Sequence, residues 1–401
     1  MRRFRFQVGR PQQIAALLLL SFLAECLWVV GQQQLSSADF RFARCGREMW
    51  ERPSPLAGYF TSCGNLNGDG TFAYRIAGLP LTLQRLALLG ADHLRKPENR
   101  VYANGSINGS TWEARHQLGE VKYLLHLPFI LFAAWLGAGL WWVSRRLFGN
   151  AGAALALGLY CFCPDVVQYA VVPNNDVLAM WGLFGLVYTA IGVAHAMHGP
   201  RSRWRPRILL LIMALGLTAI AHLLAAILGF AVAAVLMMYL AERRRGDVLG
   251  ILIFSALGGL FIVFASYAFR LQPFSYVFTG GGVRFWFSLE PAKAFFSDVS
   301  HGAIVVAVLV SLVLWMGVRR SRYFGNTVPL VLAAALFPLV TTQTPTAPWL
   351  WALPFLLTFV GGVFADALET RFRRLFLSLT GGLLVTQALV CLATLPLLAR
   401  K

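Results

Sequence analysis

Eleven apolar runs separated by short arginine clusters leave this chain few folds to choose from. The runs cover residues 14–31, 123–142, 151–163, 177–197, 208–221, 223–240, 248–269, 303–318, 328–341, 349–364 and 375–398. In hydrocarbon every backbone polar group must be satisfied within the protein, so such runs become helices. A full crossing takes about 20 residues. Several runs are shorter, so their ends must lie in the flanking text. Composition points the same way. The chain is 58% hydrophobic and only 13% charged, whereas a soluble domain carries about 25% charged residues. An ordinary cytosolic enzyme, a disordered chain and a collagen-like fibre are thereby excluded. The expected fold is an all-α polytopic membrane protein with eleven transmembrane helices. It is expected to form one integral domain over residues 1–401, with no soluble C-terminal domain.

Lysine and arginine total 35 against 17 carboxylates, a net charge of +18. A basic excess can signal nucleic acid, but here the cations sit between apolar runs and read as membrane topology. No nucleic-acid partner is expected. With the N-terminus in the cytoplasm, the inner segments hold 19 arginines: Arg2, Arg3, Arg5, Arg10, Arg145, Arg146, Arg201, Arg203, Arg205, Arg207, Arg243, Arg244, Arg245, Arg319, Arg320, Arg322, Arg371, Arg373 and Arg374. Only Glu242, Asp247, Asp366 and Glu369 oppose them there. Apart from the long first loop, the outer connections hold just Arg270, Arg284 and Lys293. The C-terminus then falls outside. This count requires residues 208–240 to be two short helices hinged near His222, because one rod would put its two flanking arginine clusters on opposite sides. The N-terminal Met1-Arg-Arg-Phe-Arg resembles a signal peptide. Its apolar core is long and Gln32-Gln33-Gln34 follows without small residues, so a retained helix is expected.

The first outer loop, residues 32–122, is too long for a simple connection and must fold. Ser37 to Trp50 reads as an amphipathic helix with Ser37 as its N-cap. Residues 72–94 form a second, which Gly78-Leu-Pro80 is expected to break or kink. Asn65 to Gly70 is turn text, and Asn104-Gly-Ser and Asn108-Gly-Ser lie in another polar turn region. Both helices are expected at the membrane surface. Cys45 and Cys63 form a disulfide if the loop faces an oxidising compartment, or stay as two thiols if it does not. Cys26, Cys161, Cys163 and Cys391 read as small apolar residues of the spans. The Cys161-Phe-Cys163 spacing is too short for a zinc pair, so no metal or cofactor is assigned, and a divalent metal stays open.

Several polar residues stand out against this background. Asp39 lies shortly after the first span and is either a functional acid or a first-turn acid favoured by the helix dipole. Asp69 sits in a Gly-Asp-Gly turn. Asp176 opens a span, and Asp165 follows Pro164 in what reads as a turn. Glu25 is an intramembrane carboxyl, a costly feature that implies a partner in the bundle interior. His222 reads as a core histidine at the hinge. Arg270 and Arg284 flank Pro273 and Gly280-Gly-Gly282 among Phe274, Tyr276, Phe278, Phe285, Trp286 and Phe287. This is either an interfacial aromatic belt or a lip that grips a lipid phosphate.

Three stretches carry a resemblance. They are Leu136-Gly-Ala-Gly-Leu-Trp-Trp-Val-Ser-Arg-Arg-Leu-Phe-Gly-Asn150, Phe162-Cys-Pro-Asp165 and Val171-Val-Pro-Asn-Asn-Asp176. Together with one span followed by a long outer loop, the chain resembles the GT-C class of membrane glycosyltransferases, near the protein mannosyltransferase and aminoarabinose transferase branch. The likeness is best from Tyr123 to Arg245. It implies an inverting transfer of a hexosyl or pentosyl group from a polyprenyl-phosphate donor to a lipid, glycan or protein acceptor, at the periplasmic face of a bacterial inner membrane. Membrane lipid is the other expected partner. The general base implied is Asp39. Substrate contacts are expected from Asp69, His116, Lys122, Asp176, Arg270 and Arg284, with Glu25, Cys45 and Cys63 structural. The chain departs from the family where Asp39 stands alone instead of in an Asp-Glu pair. A segment running from His116 to Tyr123 also replaces the His-Pro-Pro-Leu element. A non-catalytic subunit that kept the fold is therefore a second reading, and a transporter or flippase is a third. Transporters commonly show internal repeats, and no clear repeat relates the two halves.

Overall fold

The structure, a computed structural model, describes residues 9–51, 60, 63, 66, 70–93, 117–279, 284–317, 323–341 and 348–400. Every apolar run is helical. The helices in chain order are α1 (Arg10–Gln32), α2 (Ser37–Glu51), α3 (Phe72–His93), α4 (Gln117–Phe148), α5 (Asn150–Cys161), α6 (Pro164–Ala170), α7 (Asp176–Ala196), α8 (Arg201–Ala221), α9 (Leu223–Leu240), α10 (Arg245–Ser266), α11 (Leu271–Thr279), α12 (Glu290–Ser297), α13 (Gly302–Gly317), α14 (Tyr323–Leu336), α15 (Leu353–Leu368) and α16 (Arg373–Leu398). Among the described residues, nine helices are each long and apolar enough to cross a membrane. Helices α5 and α6 qualify as a pair bent by 62°, where Pro164 brings no N–H to continue the ladder. The run 328–341 supplies the shorter α14 and then the strand β2 (Leu339–Thr341), which pairs antiparallel with β1 (Phe285–Phe287). The chain is an all-α multi-pass membrane protein. Large apolar side chains such as Leu257, Val235 and Val313 are turned outward along its helices, the side a bilayer would cover.

Two compact units make up the chain, each assembled from separated segments. Unit 1 comprises Met1–Val29, Phe132–Ala170 and Phe285–Lys401, and unit 2 comprises Val30–Leu131 and Val171–Arg284. In unit 1, α15 is the central element, with Leu353 to Ala367 all buried. A helix apolar all round belongs in such a place. It crosses α5 at Gly152 and Gly361, where a Cβ on either glycine would strike the backbone carbonyl of the other.

In unit 2, α7, α8, α9 and α10 pack as neighbours. His222 alone separates α8 from α9, with an extended backbone (φ −153°, ψ 113°). The expected helix pair is therefore present in place of one rod. Helix α2 lies on α3, and the two backbones meet at Gly46 and Gly78. One expectation fails here. Helix α3 runs unbroken through Pro80, because its packing on α2 holds the turn that proline leaves one hydrogen bond short.

Candidate functional site

Asp39 owes its position to the start of α2. The Ser36 Oγ accepts from the Asp39 N–H at 3.2 Å, and Asp39 Oδ2 accepts from the Ser36 N–H at 2.7 Å and the Ser36 hydroxyl at 2.9 Å. This is a capping box, with Ser36 as the cap where Ser37 had been expected. It consumes one carboxylate oxygen. The other, Oδ1, is buried without a hydrogen bond and faces His126 Nε2 at 3.7 Å. His126 is itself buried, one turn beyond Lys122 on α4. Its Nδ1 lies 2.6 Å from the Val171 carbonyl. A carbonyl only accepts, so Nδ1 carries the hydrogen. In the neutral ring Nε2 then offers a lone pair to a carboxylate oxygen. The gap between Oδ1 and Nε2 is thus a seat for one proton.

A chain of contacts within unit 2 continues from this pair. Asn175 clamps the entry to α3, donating to the Gly70 carbonyl and accepting from the Ala73 N–H, both at 3.2 Å. Thr71 donates to the Ser266 hydroxyl at 2.9 Å. Arg75 donates to the Ser266 carbonyl and stacks on Trp50 at 5.2 Å. Four residues past Ser266, Arg270 is only 2% exposed, with its guanidinium 3.9 Å from the centre of the Phe60 ring. Burial pulls Arg75 down to about 10, and the Arg270 charge lowers it further. Burial also lowers Arg270, against the opposing pull of the Glu48 carboxylate. Two cations are therefore held close enough to repel one another, an arrangement that an anion relieves. The Cys45–Cys63 disulfide is present. Cys63 also donates its N–H to the Phe60 carbonyl, so the bridge links α2 to the ring that covers Arg270.

The fold has a solved counterpart. The chain is similar to the oligosaccharyltransferase of Archaeoglobus fulgidus in its apo form, with a TM-score of 0.52 and 12% sequence identity. The chain resembles a GT-C-type fold. The match covers 98% of this chain and 56% of the archaeal one, so the chain spans just over half the length of that protein. At that identity the likeness concerns the fold. No protein-family model matches the sequence, and no curated protein does.

The remaining sequence candidates distribute unevenly over this GT-C-like frame. Lys122 Nζ donates to the Gly31 carbonyl at 2.8 Å and the Gln33 carbonyl at 3.5 Å. It thereby closes the C-terminal end of α1, a favourable place for a cation. Asp176 is the first residue of α7, half-buried, beside the clamping Asn175. Arg284 is exposed just before β1, unlike the buried Arg270. Glu25, in unit 1, is buried with Cys391 Sγ 3.6 Å from its Oε2. Asp69 and His116 lie outside the described residues, as do both Asn-Gly-Ser segments. No group of three or more His, Cys, Asp or Glu among the described residues is arranged to hold a metal ion. Sequence reasoning missed His126, Arg75, Ser36 and Asn175. His126 alone carried a signal, as an ionisable residue inside a span. The rule that singled out Glu25 applies to it equally.

Proposed function

We propose that the chain is a GT-C-type membrane glycosyltransferase that moves a sugar from a polyprenyl-phosphate donor to a hydroxyl or amine on a lipid or glycan acceptor. The observation that carries this reading is Asp39, whose Oδ1 is buried, unbonded and aimed at His126. The fold likeness to an oligosaccharyltransferase supports glycosyl transfer as the class. In the proposed step the acceptor oxygen or nitrogen attacks the anomeric carbon. The bond from that carbon to the phosphate oxygen breaks, and polyprenyl phosphate leaves with the bonding pair. The acceptor proton passes to Asp39 Oδ1, with the His126 ring alongside to share it. A single displacement of this kind inverts the anomeric centre. Arg270, backed by Arg75, meets the charge that grows on the departing phosphate. The positive-inside pattern supports a cytoplasmic N-terminus, with residues 32–122 on the outer face of a bacterial inner membrane.

The test is transfer by the purified protein in proteoliposomes, supplied with radiolabelled polyprenyl-phosphate sugars and lipid or glycan acceptors. Asp39→Asn retains an oxygen for the capping box but removes basicity. Turnover is expected to fall by roughly 10²–10⁴, with folding and donor binding retained. Undiminished transfer by Asp39→Asn rejects Asp39 as the base. The capping box itself favours one competing reading, a non-catalytic subunit in which Asp39 only starts a helix. Absence of transfer by the wild type with every donor tried would favour that reading.

A further inference from the structure

Unit 1 contains a cavity of about 360 Å³ that takes no part in the proposed chemistry. Its volume lies within the range of small-ligand sites, roughly 300–1,000 Å³. It forms where four helix ends meet: the last turns of α13 and α15 and the first turns of α14 and α16. Helix ends at one side of a spanning bundle lie at the level of lipid headgroups. The two connections at this end, α13 to α14 and α15 to α16, contain Arg319, Arg320, Arg322 and Arg371, with Arg373 and Arg374 opening α16.

The lining has two parts. Trp315, Phe372 and Phe376 make an aromatic wall, while Asn326, Asp366 and Arg371 supply the polar groups. Asn326 is 3% exposed and Asp366 8%. Asn326 Nδ2 donates to Asp366 Oδ2 at 3.0 Å. That leaves Asn326 Oδ1 buried with no hydrogen bond, lying over Gly362, where any Cβ would collide with it. Arg371 is exposed at the rim, its guanidinium 4.8 Å from the Phe372 ring centre. The inner groups are a carboxylate and an unsatisfied amide oxygen, so they call for a cationic donor. The rim calls for an anion, and aromatic faces favour a cation beside them. A quaternary ammonium has no N–H to offer Asn326. A glycerol headgroup has hydroxyls but no charge to offer Asp366.

We propose that this cavity binds a phospholipid whose headgroup joins a primary ammonium to its phosphate, as phosphatidylethanolamine does. The ammonium sits on Asp366 and Asn326, and the phosphate sits on Arg371. The site is built within unit 1 and stands or falls independently of the transfer reaction.

The full-length protein, purified in detergent, is offered an equimolar mixture of phosphatidylethanolamine, phosphatidylglycerol and phosphatidylcholine. Retained lipid is then counted by native mass spectrometry. The ethanolamine lipid is expected to be held about tenfold better than either competitor, a preference worth one decade of affinity. Asp366→Asn should abolish that preference while leaving phosphatidylglycerol retention unchanged, and Arg371→Gln should weaken retention of all three. Should Asp366→Asn not fold, the wild type decides the matter with mono-, di- and trimethylated ethanolamine lipids, whose retention should fall as N–H donors are lost. Equal retention of the three headgroups, indifference to methylation, or an Asp366→Asn variant that keeps the preference would overturn the proposal.

Discussion

One oxygen of Asp39 closes the start of a helix and the other faces an imidazole, so its two roles separate by substitution. Ser36→Ala removes the hydroxyl that caps α2 and leaves Oδ1 and His126 in place. Stability should drop by ~0.5–2 kcal/mol, seen as a lower melting temperature, with transfer reduced only a few-fold. His126→Gln should do the opposite. The amide still fills the space beside Asp39 but cannot take up a proton at neutral pH. Turnover should fall by roughly 10²–10⁴ with little change in melting. If the cap variant loses activity and the His126 variant retains it, Asp39 is a helix-starting residue and the acid–base reading is wrong. Arg270 makes a related point about burial. An aromatic ring 3.9 Å away keeps its charge poorly hydrated, which strengthens its attraction for a phosphate more than an exposed arginine such as Arg284 could manage.

Helix α2 brings Asp39 and Cys45 into one rigid body, and its seat on α3 depends on two residues without side chains. A Cβ at Gly46 would collide with the Tyr74 carbonyl and the Gly78 backbone. Gly46→Ala should therefore cost ~1–3 kcal/mol and depress activity by shifting α2. Gly90→Ala, further along α3 with open space around it, should be neutral or slightly stabilising. Equal effects in melting experiments would mean that the α2–α3 crossing is not tight. Most elements were legible because an apolar run in a membrane chain has one outcome. The break at His222 could be placed because arginine clusters flank both ends of residues 208–240. Other boundaries escaped for physical reasons. Ser36 and Ser37 are the same residue type side by side, and only the geometry chooses between them. Pro80 looks like a helix breaker until α2 is seen packed across the turn. The site was legible only where chain position marked it, as for Asp39. Arg75 and Ser266 are 191 residues apart, and nothing in either neighbourhood announces that they meet.

At the scale of the whole chain, the eleven helical runs and the arginine distribution argue for an N-terminus inside and a C-terminus outside. A reporter fused after Lys401 should be active only if it works in the periplasm. A reporter placed after Gly199, between α7 and α8, should report the cytoplasm. Activity on the wrong side at both positions would invert the whole topology, and at Lys401 alone would put the number of crossings in error. The two units also differ in when they can be finished. A ribosome has supplied every residue of unit 2 once Arg284 is made, whereas unit 1 needs 285–401 as well. Glu25 enters the bilayer with the first helix, and Cys391, the thiol that meets it, follows 366 residues later. For most of synthesis that carboxyl must find shelter elsewhere, in water, among headgroups or within the insertion machinery. A chain stopped between these points would present quality control with a whole unit 2 beside a unit 1 still open around its acid.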